Sequence, residues 1–339
     1  MNKRVEWIDA AKWLGMFFIY LGHFSSEAGL AYHWVFSFHV PLFFFLSGCL
    51  ENYNKRGFLN NVWNKFVNIV VPFFFFGILD ISYDAIQTGT SVNITKYLLN
   101  LLRGGIRGQL KLAGGLWFLT CLFVIEIEFS LIKKLKSKSL IFAVCLGMYF
   151  VSELVMNPRP AQQPRWLWNI DSSCHYMIYY CIGWLIYEPI NKILKTENRE
   201  IKGLRVIGLC VCAFFSGKLF FGRNLLNELT GMYTICMEVN AIINAMFSIL
   251  LVIAASDYLS HSEFITKMGR DSLYLCGNEY LIKLLVPMIF SMVGLTIKPV
   301  SPVEFYIYTF ALMVVADFVL VPLERPVLKG IQSKLNGLI

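Results

Sequence analysis

Long apolar blocks alternate with short polar segments along the chain of 339 residues. A helix needs about 20 mostly apolar residues to cross a bilayer, and the blocks have roughly that length. Ten blocks can be read, at 7–25, 34–51, 66–86, 115–132, 139–155, 172–190, 205–222, 232–256, 272–293 and 303–322. The pattern predicts an all-α polytopic membrane protein with about ten transmembrane helices, in a single domain over residues 1–339.

The composition supports this class of protein. Hydrophobic residues make up 57% of the chain and charged residues 15%, and the mean hydropathy is +0.58. Soluble domains are about 45–50% apolar and about 25% charged. The nine cysteines lie mostly inside the apolar blocks, without a CxxC pair or zinc-ligand spacing, so we interpret them as small apolar residues. No metal site is expected.

Basic residues distinguish the two sides of the predicted bundle. Counted loop by loop, lysine and arginine are more than twice as frequent on the side shared with the N-terminus as on the other side. Cytoplasmic loops carry such an excess, so the pattern predicts a multi-pass protein of the plasma (inner) membrane with both termini cytoplasmic. Topology thereby accounts for the net charge of +8, and no nucleic-acid partner is expected. The basic outer segment 87–114 is expected to hold an amphipathic stretch on the membrane surface.

The first block carries a lysine near one end and a histidine at the other. In a helix, the eleven steps from Lys12 to His23 turn by about 1100°, so both side chains share a face and lie roughly 16 Å apart along the axis. Ionisable groups inside a span are costly in lipid and indicate function. Asp9 either neutralises Lys12 locally or leaves it to anchor an anionic ligand from the cytoplasm. A signal peptide has a similar layout, but the blocks that follow favour a spanning helix.

A second histidine is predicted at a similar depth on the outer side. His39 lies about five residues into the second block, and a short link joins the first two blocks. The near-neutral pKa of histidine suits general base catalysis, so the two histidines form a candidate site. The alternative is a structural histidine that is hydrogen-bonded between helices.

Ionisable residues in later blocks indicate a hydrated or ligand-filled centre. Asp171 and His175 are four residues apart, and they act either as a carboxylate-oriented base or as a helix cap beside an interfacial histidine. The proline-rich segment 158–165 is either a stiff lid whose Arg165 reaches inward or only a connection. The other members of this polar set are Glu126, Glu128, Glu153, Glu238, Glu279, Lys218 and Lys283.

Several motifs together resemble one family. They are Trp7–Lys12 with Leu21–His23, Phe38–Gly48, Leu116–Leu119, Trp168–Asp171 and Gly269–Tyr274. In this order they resemble the membrane acyltransferase-3 family, and within it the branch that is similar to fucose 4-O-acetylases and to capsule or O-antigen O-acetyltransferases. Two positions depart from the family pattern. His175 has no counterpart in the family, and Gly277–Glu279 stand where a histidine is common.

The resemblance implies transfer of an acyl group, usually acetyl, from cytoplasmic acyl-CoA to a hydroxyl of an extracytoplasmic carbohydrate such as a capsule, O-antigen, exopolysaccharide or glycolipid. No permanently bound cofactor is implied. His23 would act as general base or transient acyl carrier, with His39 orienting it or sharing the proton. The residues expected to bind or line the path of acyl-CoA and the sugar are Asp9, Lys12, Ser47, Trp117, Arg165, Asn169, Asp171 and Glu279.

Two other classes of function fit parts of the pattern. A proton-coupled transporter or exporter of a glycan or small anion would use the same intramembrane lysines, carboxylates and histidines, although no internal repeat is evident. A structural membrane scaffold would explain the hydrophobicity but not the alignment of Lys12 with His23.

Overall fold

The computed structural model describes residues 4–51, 57–88, 94–106, 114–194, 199–221, 231–296 and 299–337. Every regular element in these ranges is helical, so the all-α prediction is confirmed for the described residues. The α-helices are α1 (Glu6–Gly22), α2 (Ala31–Phe36), α3 (His39–Glu51), α4 (Phe58–Lys65), α5 (Val71–Thr88), α6 (Ile94–Leu102), α7 (Trp117–Ile132), α8 (Lys138–Phe150), α9 (Ile170–Leu194), α10 (Arg199–Phe221), α11 (Gly231–Leu259), α12 (Glu263–Arg270), α13 (Ser272–Met292), α14 (Pro302–Val315) and α15 (Val321–Asn336). Single π-helical turns at Phe66–Val70 and Ala316–Leu320 join α4 to α5 and α14 to α15, and a third extends α8 over Val151–Val155.

Six helical stretches of the described chain are long and apolar enough to cross a membrane, judged by length and composition. They are Ala31–Glu51, Phe58–Ser82, Lys138–Val155, Thr234–Leu259, Ser272–Met292 and Pro302–Asn336. The other predicted spans are also largely helical but are shorter or richer in charge; α1, for example, has 17 residues and includes Glu6, Asp9 and Lys12. A multi-pass membrane protein therefore fits, while the count of ten spans and the cytoplasmic termini stay predictions.

The second predicted span is interrupted in the structure. The helix stops at Phe36 and resumes at His39, where a single run over 34–51 was expected. Pro41 lies in the first turn of α3 and has no N–H to donate, so an unbroken hydrogen-bond ladder cannot pass this point. The Ser37 hydroxyl donates instead to the Trp34 carbonyl at 2.6 Å. His39 therefore begins a helix rather than lying five residues inside one.

Segment 87–114 contains the short helix α6. Leu101 is buried, and the Tyr97 hydroxyl donates to the Gly77 carbonyl of α5 at 3.0 Å. Leu98, Leu99 and Leu102 are exposed, so α6 has an anchored side and an apolar outer side. Its location on the membrane surface stays a prediction, and residues 107–113 lie outside the described chain.

The chain divides into two compact units, each formed from three segments. The first unit comprises Met1–Cys49, Gly183–Ser272 and Pro299–Thr309. The second unit comprises Leu50–Ile182, Leu273–Lys298 and Phe310–Ile339. The second unit has a buried core formed by Phe73, Phe76, Leu101, Leu116, Leu119, Tyr274, Val321 and Leu328.

Small residues set the packing of α1 in the first unit. A Cβ on Gly269 of α12 would overlap the backbone carbonyl of Asp9, so the two helix backbones are in direct contact. A Cβ on Gly15 would lie 2.7 Å from the ring of Phe43 on α3. Small residues permit such close approach between helices in membranes. The glycine of the Gly269–Tyr274 motif is thus required for helix packing.

Candidate active site

The first turns of α1 hold an acidic residue that is already paired. The Asp9 carboxylate is 4% exposed and accepts a hydrogen bond from Arg4 Nε at 2.9 Å. Lys12 is partly buried one turn further on and interacts electrostatically with both Asp9 and Arg4. Within the described chain, Lys12 forms no ion pair at 4.0 Å or less. The ion pair of Asp9 is therefore with Arg4, and the Lys12 ammonium stays available for an anion.

The position of α1 is fixed at its N-terminal end by α9. The Trp7 indole Nε1 donates to the Asn191 amide oxygen at 2.8 Å. The helix α1 continues without a break from Glu6 to Gly22. The spacing of about 16 Å along the axis from Lys12 to His23, calculated for a regular helix, therefore rests on a continuous helix up to the residue before His23.

His23 lies directly after the last residue of α1, and its side chain is exposed. Its backbone N–H donates to the Ile19 carbonyl at 3.1 Å, which continues the helical geometry. Aromatic residues hold the turn that follows: the Phe24 ring is 5.1 Å from that of Phe305, and the Tyr306 hydroxyl donates to the Ala28 carbonyl at 3.2 Å. The histidine is thus presented at the end of a rigid helix.

His39 is buried, with 6% of its surface exposed. Its Nδ1 lies 2.8 Å from the Val35 carbonyl oxygen. A carbonyl oxygen only accepts hydrogen bonds, so Nδ1 carries the proton and Nε2 of the neutral ring keeps its lone pair. In this tautomer, with the proton on Nδ1, the imidazole of His39 can accept a proton at Nε2.

One phenylalanine connects the surroundings of the two histidines. The Phe36 ring centroid is 4.9 Å from that of His39. A Cβ on Gly22, the residue before His23, would lie 3.1 Å from the same phenylalanine ring. Phe36 thus lies against the His39 ring and against the backbone that leads into His23, while the pairing of the two histidines stays a prediction. Ser47 is partly exposed on α3, and its lining role stays a prediction.

In the second unit, Asn169 joins three segments of backbone. Its side chain is fully buried, and its amide Nδ2 donates to Thr120 Oγ1 at 2.9 Å and to the Gly104 carbonyl at 3.1 Å. The Trp168 N–H donates to the Arg103 carbonyl at 2.8 Å. Asn169 has a φ of 57°, in the left-handed region that asparagine tolerates better than most residues. The Trp168–Asp171 motif therefore connects the end of α6, the start of α7 and the start of α9.

The Asp171 carboxylate accepts hydrogen bonds from the backbone of the segment that leads into α9. It accepts backbone N–H groups from Arg165 at 2.6 Å, Trp166 at 3.2 Å and Ser172 at 2.9 Å. Asp171 is the second residue of α9 and so is not its N-cap, and its carboxylate fixes the end of the proline-rich segment against the first turn of the helix. The Arg165 side chain is exposed, and Trp117 is buried with its ring 5.7 Å from that of Tyr176. Roles of these residues toward a substrate stay predictions.

His175 pairs with a different carboxylate from the one expected. Its Nδ1 is 2.7 Å from Glu153 Oε1, and Arg159 Nη1 is 3.8 Å from the other oxygen of Glu153. The face shared with Asp171 does not lead to a pair, because the Asp171 oxygens are occupied by backbone N–H groups. Glu153 is 22 residues away in sequence, so helical spacing gives no sign of this contact.

Glu279 belongs to a group of three acidic residues on α5, α13 and α15, of which two are buried and one is half-buried. It forms an ion pair with Lys283, one turn along α13. Beside it, the Asn278 amide donates to Glu324 Oε2 at 2.6 Å. Asp80 is 4% exposed and interacts electrostatically with both Glu324 and Glu279. We refer to Asp80, Glu279 and Glu324 as the carboxylate cluster.

Sequence reasoning missed two members of the carboxylate cluster. Asp80 lies in the third predicted span and Glu324 just beyond the tenth, so ionisable residues inside or bordering apolar blocks were the signal for both. Asp80 Oδ2 has no hydrogen-bond partner among the described residues.

A second polar network in this unit is fully paired. Lys65 is 4% exposed and lies 3.2 Å from Glu51 Oε2 and 3.0 Å from Glu126 Oε2. Lys133 Nζ lies 3.2 Å from Glu51 Oε1, and the Tyr180 hydroxyl donates to Glu51 Oε2 at 2.9 Å. Because each charge has a partner of opposite sign, we interpret this group as a structural link between α3, α4, α7 and α9.

These features define an all-helical, multi-pass membrane protein whose apolar helices carry buried ionisable groups. Among the described residues, no group of histidine, cysteine, aspartate and glutamate is arranged to hold a metal ion. A family model described as "Acyltransferase domain" matches residues 5–321, so the chain belongs to this family and is a membrane acyltransferase. No curated protein and no solved structure matches the chain significantly.

Proposed function

We propose that this acyltransferase moves an acetyl group from cytoplasmic acyl-CoA to a hydroxyl of an extracytoplasmic or lipid-linked carbohydrate at the plasma membrane. The observation that carries the proposal is the unbroken helix α1, which includes Lys12 and ends directly before His23. Regular helical geometry places the two side chains on one face, about 16 Å apart along the axis. The resemblance of Trp7–His23 and Phe38–Gly48 to polysaccharide O-acetyltransferases supports a carbohydrate acceptor.

In this proposal, the Lys12 ammonium attracts the negatively charged acyl donor, acyl-CoA. Arg4 already neutralises Asp9, and Lys12 forms no close ion pair within the described residues. An ammonium group inside an apolar helix is stabilised by an anion, and the phosphates of acyl-CoA provide one. The acyl thioester would then extend along α1 toward His23.

His23 performs the proton transfer in this scheme. Its imidazole takes the proton of the acceptor hydroxyl while the oxygen attacks the thioester carbonyl carbon. The new C–O bond forms, the C–S bond breaks, and the departing thiolate of CoA receives the proton. In the two-step variant, the imidazole nitrogen attacks the thioester carbonyl carbon, the C–S bond breaks, and CoA leaves as the thiol with the imidazole proton. The acceptor oxygen then attacks the acyl carbon, the C–N bond breaks, and the released imidazole takes the hydroxyl proton. His39, fixed as the Nδ1–H tautomer by Val35, orients His23 or shares the proton.

The test uses the purified full-length protein in lipid with labelled acetyl-CoA and a crude polysaccharide acceptor. We expect His23→Ala to lower transfer at least about a hundredfold, the usual size of a general-base contribution. His261→Ala, at an exposed histidine between α11 and α12, is the control and should transfer normally. Normal transfer by His23→Ala would refute the assigned role.

A second measurement separates the two chemical routes. The protein is incubated with labelled acetyl-CoA without acceptor, and its mass is then determined. One added acetyl group that is absent from His23→Ala supports the acyl-histidine route. Direct transfer leaves the mass unchanged.

The carboxylate cluster favours a second candidate, a proton-coupled transporter of a glycan or small anion. Carboxyl groups buried within spanning helices are typical of proton pathways. Flux into proteoliposomes that proceeds without acyl-CoA and is lost in Asp80→Asn would support transport. Flux that requires acyl-CoA would support the acyltransferase alone.

A further inference from the structure

An apolar groove lies in the first unit between the C-terminal end of α9, the N-terminal part of α10 and the C-terminal part of α11. Its volume is about 420 Å³, which is in the range of small-molecule binding sites. Its walls are mainly aliphatic, formed by Ile190, Ile193, Leu209, Leu250 and Ile253. Gly208 also lines the groove, and a Cβ there would meet no atom within 4 Å.

Charged groups are confined to a few positions on the lining. Lys202 Nζ lies 2.6 Å from Asp257 Oδ2, so these two charges compensate each other. Arg205 Nη1 donates to the Ile193 carbonyl at 3.1 Å, a neutral partner. Among the described residues, the Arg205 guanidinium is the charge on the lining that forms no ion pair, and the rest of the groove is mainly apolar.

Exposed apolar side chains lie on α10 next to the residues that line the groove. Leu204, Ile207 and Val211 of α10 are 69%, 62% and 49% exposed. Such side chains on a membrane protein face the acyl chains of the bilayer. In the predicted topology, this end of α10 lies at the cytoplasmic interface, where lipid phosphates are found.

We propose that the groove binds one anionic phospholipid, with an acyl chain along the aliphatic walls and the phosphodiester at Arg205. A singly charged phosphodiester matches the Arg205 guanidinium, which forms no ion pair with the described residues. Basic pockets between transmembrane helices on the cytoplasmic side are known to hold anionic headgroups. Acyl-CoA fits the site poorly, because its several phosphates and its adenine base would face an aliphatic wall where, among the described residues, only Arg205 is a cation outside an ion pair.

Native mass spectrometry of the full-length protein tests the proposal, with phosphatidylglycerol and phosphatidylcholine as probes in equal amounts. We expect one retained phosphatidylglycerol, preferred about fivefold over phosphatidylcholine, the factor expected for one basic group near a membrane surface. Arg205→Gln should abolish this preference. Gly208→Phe should fill the groove and prevent retention of either lipid.

The matched control is Gly203→Phe, at a glycine of α10 that is not part of the groove lining and whose Cβ would also meet no atom within 4 Å. It should retain phosphatidylglycerol as the wild type does. Equal retention of phosphatidylglycerol by Gly208→Phe and Gly203→Phe would overturn the proposal. So would displacement of the lipid by micromolar CoA, because the groove would then be a donor site. Neither result bears on the role of His23, which is measured by transfer.

Discussion

The geometry of Asn169 distinguishes between a structural and a substrate-binding role for the Trp168–Asp171 motif. The side chain makes two hydrogen bonds of 3.1 Å or less to Thr120 and Gly104 and is fully buried. Removing one buried hydrogen bond costs about 0.5–1.5 kcal/mol, so Asn169→Ala loses about 1–3 kcal/mol from the two bonds. Alanine in the left-handed region adds about 1–2 kcal/mol of backbone strain.

The structural role therefore predicts a loss of about 2–5 kcal/mol in the free energy of unfolding for Asn169→Ala. Asn169→Gly removes the same hydrogen bonds without the strain, so it should be about 1 kcal/mol less destabilising than the alanine variant. The free energy is measured by denaturant unfolding in a mild detergent, followed by tryptophan fluorescence. Asn68→Ala is the control, because the hydrogen bonds of Asn68 are exposed.

The same variants are then assayed for acyl transfer per folded molecule. The structural role predicts that the folded fraction of Asn169→Gly keeps most of its activity. If Asn169→Ala unfolds as the wild type does but transfers no acetyl group, the reasoning is wrong and the amide acts on the substrate.

Two further predictions concern α1. Gly269→Ala should destabilise the protein by about 1–3 kcal/mol in the same unfolding assay, because its Cβ would overlap the Asp9 carbonyl. Gly330→Ala is the control and should be neutral or slightly stabilising, because its Cβ would meet no atom within 4 Å. Lys12→Ala should raise the KM for acetyl-CoA about tenfold, because a charged contact is lost. Lys12→Arg should have a nearly normal KM, and Lys329→Ala, at an exposed lysine, is the control. An unchanged KM in Lys12→Ala would contradict the donor role.

The sequence predicts helices well because long apolar blocks favour helical segments, and six stretches of the described chain have the length and composition of a span. The continuous helix from Glu6 to Gly22 agrees with the first predicted span, and the shared face of Lys12 and His23 stays a prediction from helical geometry. The interruption between α2 and α3 follows from Pro41, a signal that is visible in the sequence but was outweighed by the continuous apolar run around it.

The pairing of charges could not be predicted in the same way. Spacing suggested Asp9 with Lys12 and Asp171 with His175, since residues three or four apart are neighbours on a helix. The structure pairs Asp9 with Arg4, at the chain end before α1, and His175 with Glu153 on the preceding helix. Contacts between helices depend on how each helix is rotated and packed, which the spacing of residues along one helix does not determine. Asp80 and Glu324 are visible in the sequence as ionisable residues in or beside apolar blocks, but their grouping with Glu279 is not.

The network of Glu51, Lys65, Glu126 and Lys133 has an electrical consequence for a protein in an energised membrane. Moving one elementary charge across a membrane potential of 100 mV changes the free energy by about 2.3 kcal/mol. Two acidic and two basic groups, held together by contacts of 3.0–3.2 Å, move as a neutral unit and so experience almost no net force. This end of the second unit should therefore keep its geometry whether the membrane is polarised or not.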